Sequence, residues 1–357
     1  MHKNPWTPSE RKRKPARLMH PIEESGCWYP QDLAGTDAWV YRLSERETAD
    51  IIDAVAQVEA QGFDIKDVTK EDFPLPVLSP ALADIRKELM EGRGFALIRG
   101  LPIEGRTTYQ NTAAVWGVSN HLGRPFSQNG EGHLIGHVMD EGARMKTATG
   151  RGYRTNEGLY FHCDRSDITG LFCLQTAKSG GQHRLCSSVA LYNEMLERRP
   201  DLAEALTFHF YMTRRGEIPV GETDPWYRQP VFSVRDGYFS ARGASRTGIA
   251  RAQDLPGVPQ LTPLQLEAID TYQAIADELA IDIDFEPGDM SFCMSHVTVH
   301  SRTPFEDWPE PERRRHLLRL WISTGGERPL VPEVAREIER GVTVEGVEPT
   351  VPLEPAL

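Results

Sequence analysis

The sequence predicts an α+β fold: a barrel or double-sheet jelly roll, with helices gathered at its N-terminal side and in insertions. Two observations lead there. Up to about residue 121, apolar positions recur at helical spacing behind capping residues. From about Phe126 onward, short strand-like runs alternate with Gly-rich turns, the pattern of sheets that close on themselves or stack in pairs.

The helices come first. Ser44 and Glu47 make a capping-box pattern ahead of Ile51, Ile52, Val55 and Val58. Ser79-Pro80 opens a second helix through Ile85 and Leu89, broken near Gly92 and Gly94, and a third spans 107–121. Between the last two, the apolar run 95–98 in GFALIRGLP reads as a buried strand. The later strand-like runs are 171–176, 208–213, 231–234, 237–241, 281–285, 290–294 and 317–322. Two helices interrupt them: 189–198, which stops before Pro200, and 262–279, with Thr262 as N-cap and Pro263 at the first helical position. The expected organisation is a basic arm over 1–40, a single domain over 41–328 with lid insertions at about 126–160 and 213–251, and a loosely packed tail over 329–357 with a short amphipathic helix at 334–340.

Composition narrows the function classes. A hydrophobic fraction of 39% and a charged fraction of 26% are those of a soluble globular protein. No apolar run approaches the roughly 20 residues that cross a bilayer, and the N-terminus has no apolar stretch of a secretory signal. A net charge of −12 argues against nucleic acid as a partner. Arg11, Lys12, Arg13 and Lys14 read as a solvated arm rather than a nucleic-acid or targeting patch. Five cysteines without CxxC spacing exclude a disulfide framework or structural zinc and suit the cytoplasm. The expected partner is a small molecule, with no nucleic acid and no membrane; association into a homo-oligomer is left open.

Three segments carry chemistry. In Tyr160-Phe161-His162-Cys163-Asp164, His162 and Asp164 are two apart at a strand end, so their side chains project to one face and can converge on an ion. Cys163 should then point away and pack. Roughly 140 residues on, the PGD turn at Pro287–Asp289 launches an apolar strand followed by His296 and His300. Two imidazoles and a carboxylate leave three coordination positions open, the facial set suited to non-haem Fe(II), whereas zinc favours closed tetrahedral or thiolate sets. His296 and His300 are four apart and compete for the second imidazole place. The third segment is Arg313 to Ile322. Arg313 and Arg314 fit a solvated turn, while Arg315 and Arg319 sit in apolar sequence where an unpaired charge is costly. A guanidinium there offers a bidentate fit to a carboxylate.

In order, GFALIRGLP (94–102), LGRP (122–125), FHCD (161–164), SGGQHRLCSSVALYNEM (179–195), PGDMSF (287–292), VHSRTPFED (299–307) and RRHLLRLWI (314–322) resemble the taurine/2,4-dichlorophenoxyacetate dioxygenase (TauD/TfdA-like) family of 2-oxoglutarate oxygenases. The resemblance covers about residues 93–324. It implies a double-stranded β-helix core, Fe(II) held by His162, Asp164 and His300, and 2-oxoglutarate and O2 as co-substrates, with succinate and CO2 released. It selects His300 over His296, because the family's ligand directly precedes a small residue and Arg. Arg315 matches the family's 2-oxoglutarate-binding Arg, and Arg319 a position that contacts an anionic substrate group in some members. Where the family often has Thr or Ser after the Gly-Gly pair, this chain has His183; His183 itself, Ser187 or Ser188 is expected to help bind 2-oxoglutarate.

The substrate is read only as a small organic molecule, with an acid favoured by the cations and aromatics of 213–251 (Arg214, Arg215, Trp226, Tyr227, Arg228, Arg242, Arg246). Hydroxylation is the expected outcome. Arg319 needs an anion of its own: an internal carboxylate, slightly ahead, or an acidic group on the substrate. Two other classes compete: a non-catalytic iron- or oxo-acid-binding barrel, and a 2-oxoglutarate-independent metal enzyme on a cupin-like barrel, which would not need Arg315.

Overall fold

The computed structural model describes residues 4–142 and 152–355, so the stretch 143–151 of the expected first lid insertion lies outside the described residues. Two sheets form the centre. The larger runs in the order Val40–Arg42, Phe95–Arg99, Met290–Met294, Ile168–Gln175, His316–Ser323, and both Arg124–Phe126 and Ile135–Val138 pair along that last strand. The smaller runs Ile281–Ile283, His183–Ser187, Thr298–Arg302, Leu159–His162.

The strand His316–Ser323 shows why the sheets enclose a cavity. Leu318, Leu320 and Ile322 point into the main hydrophobic cluster, while Leu317, Arg319 and Trp321 line the cavity, as a period of two requires. The smaller sheet behaves likewise: Phe161, Cys186 and Val299 join the cluster, and His162, His183, His300 and Arg302 face the cavity. Helices cover the outer faces. Ser79–Glu91 and Thr108–Asn120 pack on the larger sheet, Ser188–Arg198 and Pro263–Glu278 on the smaller. Apolar packing outside and polar lining inside make the sandwich a container.

Local chemistry fixes the elements. Ser44 and Glu47 close a reciprocal capping box on Glu45–Ala60, and Thr262 with Gln265 does so on Pro263–Glu278. Ser79–Glu91 has no side-chain cap of its own; Asp50 of the neighbouring helix accepts from the Val77 and Leu78 N–H groups just ahead of it. In the PGD turn Gly288 has φ +93°, and a Cβ there would meet the Leu101 carbonyl at 2.0 Å, so only glycine fits. Asp289 is fully buried and takes the Arg99 guanidinium at 2.7 Å and the Glu286 N–H at 2.8 Å.

Both termini differ from expectation. In the basic arm Arg11, Lys12, Arg13 and Lys14 are exposed as expected, but the arm is packed down rather than loose: Arg13 stacks on Tyr238 at 3.7 Å, Lys14 N–H donates to the Glu23 carbonyl, and Ala16, Ile22 and Trp28 are buried. The tail is not loose either. Helix Pro332–Arg340 buries Val334 and Ile338 against Phe126 and Trp321, and Thr350 accepts from Leu134 N–H. A helix with two apolar anchors and a buried Glu337 packs on whatever surface satisfies all three.

Candidate active site

His162 ends one strand of the smaller sheet, and His300 lies directly opposite it on the next. Their ring centroids are 4.4 Å apart. His162 Nδ1 meets the Tyr160 carbonyl at 2.8 Å, so that nitrogen carries the proton and Nε2 is left with a free lone pair. Burial pushes the proton affinity of both imidazoles down, with His300 well below the usual histidine range. Both are neutral and able to ligate a cation.

Asp164 leaves the strand two residues after His162. Its backbone is pinned by Arg242, whose guanidinium donates to the Asp164 carbonyl at 2.6 Å. Gly243 beside it must be glycine, because a Cβ there would lie 2.5 Å from His162 Cα. Burial raises the Asp164 carboxyl, but Arg319, then His300 and His162, outweigh it and hold it at about 2. Arg319 donates to Asp164 Oδ1 at 3.2 Å and to Gln128 Oε1 at 2.8 Å; Thr169 donates to Asp164 Oδ2 at 3.3 Å. The anion for Arg319 is therefore internal, and it is Asp164. With that carboxylate turned to Arg319, no three His, Cys, Asp or Glu side chains among the described residues are arranged to hold a metal ion as they stand.

His296 is elsewhere. It is fully buried with Nε2 at 2.9 Å from Asp167 and Nδ1 at 3.2 Å from Ser240. Both ring nitrogens are committed, so it has no lone pair to offer. Asp167 in turn accepts from Thr324 N–H and Oγ1, which makes this a structural network.

The deep end of the cavity is short of anions. Arg315 is 4% exposed and its Nη1 has no partner among the described residues. Burial lowers its proton affinity to about 10. Arg302 faces the same Phe305 ring, at 4.8 Å against 5.2 Å for Arg315. Its Nη2 donates to the Thr155 carbonyl at 2.7 Å, while Nε and Nη1 have no described partner. His183 stacks on Phe285 and sits 5.6 Å from the His300 ring, with Nε2 unpartnered; burial, then Arg315 and His162, takes it down to about 3. Several buried polar groups are thus left without partners in one place, an arrangement that costs free energy unless something fills it.

Of the residues expected from sequence, His162, Asp164, His300, His183, Arg315 and Arg319 all line this one cavity of about 240 Å³. Ser187 and Ser188 do not. Ser187 caps its helix at Ala190 N–H and donates to the Gly26 carbonyl. Cys163 borders the cavity, with its sulfur accepting from Gly243 N–H at 3.1 Å. Arg302 had been given no role from sequence, although its place two after His300 on a strand was the signal. Arg165, Glu217 and Arg251 were missed, and Tyr153, Arg214, Arg215 and Tyr227 complete the rim. Trp226 and Arg228 instead flank Tyr211, and Arg246 pairs with Asp270.

Comparison with known proteins bears on this cavity. Residues 59–321 match the family described as taurine catabolism dioxygenase TauD, TfdA family. The chain is 33% identical over 316 residues to FR-33289 synthase of Streptomyces rubellomurinus (strain ATCC 31215), covering 87% of this chain and 93% of that protein. It is 30% identical over 317 residues to the taurine hydroxylase-like protein SAT17 of Stachybotrys chartarum, covering 85% and 80%. Among solved structures, an asparagine oxygenase in complex with Fe(II), 2S,3S-3-hydroxyasparagine and succinate superposes with a TM-score of 0.63 at 17% identity, over 86% of this chain and 99% of that one. That likeness supports a shared fold.

Proposed function

Because this chain belongs to the TauD, TfdA family of dioxygenases, we propose that its cavity holds Fe(II) between His162, Asp164 and His300 and 2-oxoglutarate against Arg315, with His183 and Arg302 beside it. The protein is an Fe(II)- and 2-oxoglutarate-dependent dioxygenase that oxidises a small organic substrate, with hydroxylation the expected outcome and succinate and CO2 released. The observation that carries the site assignment is the orphaned donor set: Arg315 Nη1 and His183 Nε2, buried without acceptors beside two neutral imidazoles and an ionised carboxylate.

The donor set fits the group. Neutral nitrogens and one carboxylate are what a divalent iron with open positions takes, and when bound it supplies the activation of O2 that no side chain can. The rest falls to the chain. Arg315 fixes the far carboxylate of the keto-diacid, which orients its other end toward His162 and His300. Arg242 and the Tyr160 carbonyl hold Asp164 and His162 in place from behind. Arg319 keeps Asp164 ionised, and a rotation of that carboxylate from Arg319 toward the imidazoles completes the set. Leu159, Leu171 and Leu317 exclude water along the cavity wall.

No helix of the described residues is long and apolar enough to cross a membrane, and the five cysteines are free thiols. The thiols support a cytoplasmic location. The substrate is a small molecule, and the arginines of the rim favour an acidic one. A screen of small organic acids that follows succinate formation with Fe(II), ascorbate and 2-oxoglutarate tests the reading. A protein that binds both co-substrates yet forms no succinate with or without any acid would leave only a binding barrel.

A further inference from the structure

We propose that Arg302 is a second anchor for the co-substrate, so that the far carboxylate of 2-oxoglutarate is gripped between two guanidiniums, Arg302 and Arg315. The proposal deepens the reading above and rests on it for placing 2-oxoglutarate in this cavity. It starts from the strand Thr298–Arg302. Arg302 follows His300 by two, so both side chains leave the same face, with their backbones about 7 Å apart at the usual rise. A five-carbon diacid whose keto-acid end lies beside His300 spans a gap of that size. Directly across the ladder, His183 pairs with Arg302 and faces the same cavity.

Arg302 has more donors than its structural contacts use. It is 5% exposed, and only Nη2 meets the backbone, donating to the Thr155 carbonyl at 2.7 Å and to the Glu157 carbonyl. Nε and Nη1, most of its donor capacity, have no partner among the described residues. Arg315 leaves its Nη1 in the same state, and both guanidiniums lie against the Phe305 ring. Burial, then the charge of Arg315, takes the proton affinity of Arg302 down to about 9. Asp307 acts on both cations, yet its Oδ1 accepts from the Arg315 backbone N–H and its Oδ2 has no partner, so it reaches neither guanidinium.

Two buried cations that repel one another cost free energy until an anion sits between them. A carboxylate offers two oxygens with about four lone-pair sites, enough to receive both forks. Such a grip also ties the co-substrate to the protein frame. The carbonyls that Arg302 holds, at 155 and 157, stand just ahead of the strand Leu159–His162, which ends in a proposed metal ligand.

The test is anaerobic titration of Fe(II)-loaded protein with two keto acids, each followed by the visible absorption it develops on the metal. One is 2-oxoglutarate; the other is 2-oxopentanoate, which has the same five carbons and lacks the far carboxylate. In Arg302→Gln, 2-oxoglutarate should bind about tenfold more weakly or worse, while 2-oxopentanoate should change by less than about threefold. The parent's preference for the diacid shrinks accordingly. Arg302→Lys keeps the charge without the fork and should recover part of the loss. Unchanged 2-oxoglutarate binding in Arg302→Gln overturns the proposal. So does an equal loss for both acids, or a variant too poorly folded to bind 2-oxopentanoate, since either makes Arg302 a structural residue. A parent protein that develops no absorption with either acid would instead sink the oxygenase reading, and this proposal with it.

Discussion

The two ends of the cavity are built differently. At the deep end, most of the important side chains come from a regular strand or the residue beside it, His162, His183, His300, Arg302, Arg315 and Arg319, and Asp164 lies two residues past a strand end. Strand periodicity and pairing fix where each one points, as the direct opposition of His162 and His300 illustrates. At the outer end, Arg165, Arg214 and Arg215 sit between elements, and Arg251 in a single turn of 3-10 helix. These are held by long-range ion pairs such as Arg214 with Glu337, 123 residues apart. The difference separates two jobs. Chemistry common to a family sits where the backbone dictates geometry, and recognition particular to one member sits where loops are free to change.

The largest expected effect breaks the deep end. His162→Ala, Asp164→Ala or His300→Ala should abolish turnover and lose Fe(II) in a metal-retention assay. His296→Ala should keep the iron while losing about 1–3 kcal/mol of stability, since Asp167 is left buried with one partner fewer. Iron retained by His300→Ala and lost by His296→Ala would reverse the assignment. Next comes Arg315→Ala, which should raise the 2-oxoglutarate requirement at least tenfold because the distal carboxylate then enters a confined site without its bidentate partner.

How these residues were legible differs one by one. HxD at a strand end and an Arg embedded in apolar sequence are readable because period-two alternation and the cost of a buried charge are local rules. His296 and His300 share spacing and context, and sequence rules alone left both open; what separates them is Asp167, 129 residues from His296, occupying its nitrogen. The helices were legible through their caps. The tail's helix was legible too, but the packing of the tail and of the arm was not, because their partners, Phe126 and Trp321 for one and Tyr238 for the other, are distant in sequence. Arg165 and Arg251 carry no local signal at all: an Arg in a loop is ordinarily solvated, and only the folded cavity distinguishes these.

Arg319 sharpens the boundary between the two ends. With Asp164 as its partner, Arg319→Leu should lower the metal-free Tm by a few degrees, for roughly 1–3 kcal/mol from the unpaired carboxylate. Added Fe(II) should recover that loss, because it gives Asp164 a new counter-charge, and 2-oxoglutarate affinity should not move. A tenfold rise in substrate KM at unchanged Tm would make Arg319 part of the recognition end instead.

The smallest effect is a pH dependence outside the cavity. His137 Nδ1 and His316 Nε2 lie 2.7 Å apart. Burial, then His137 and Arg315, takes His316 from 6.5 down to about 4. The unfolded chain binds that proton at higher pH than the folded one, so its stability contribution is full above about pH 6.5 and is lost progressively as pH falls toward 4. Tm measured between pH 7 and 5 should fall less steeply in His316→Gln than in the parent; equal slopes would assign the loss to other groups.

The central claim is that one cavity presents an iron triad and an arginine anchor for the same keto-diacid. Anaerobic titration of 2-oxoglutarate into Fe(II)-loaded protein, followed by its visible absorption, reads both at once. The band should saturate in the parent and in His296→Ala, require at least tenfold more 2-oxoglutarate in Arg315→Ala, and fail to form in His300→Ala. A band that forms in His300→Ala, or one that titrates identically in the parent and Arg315→Ala, would contradict it.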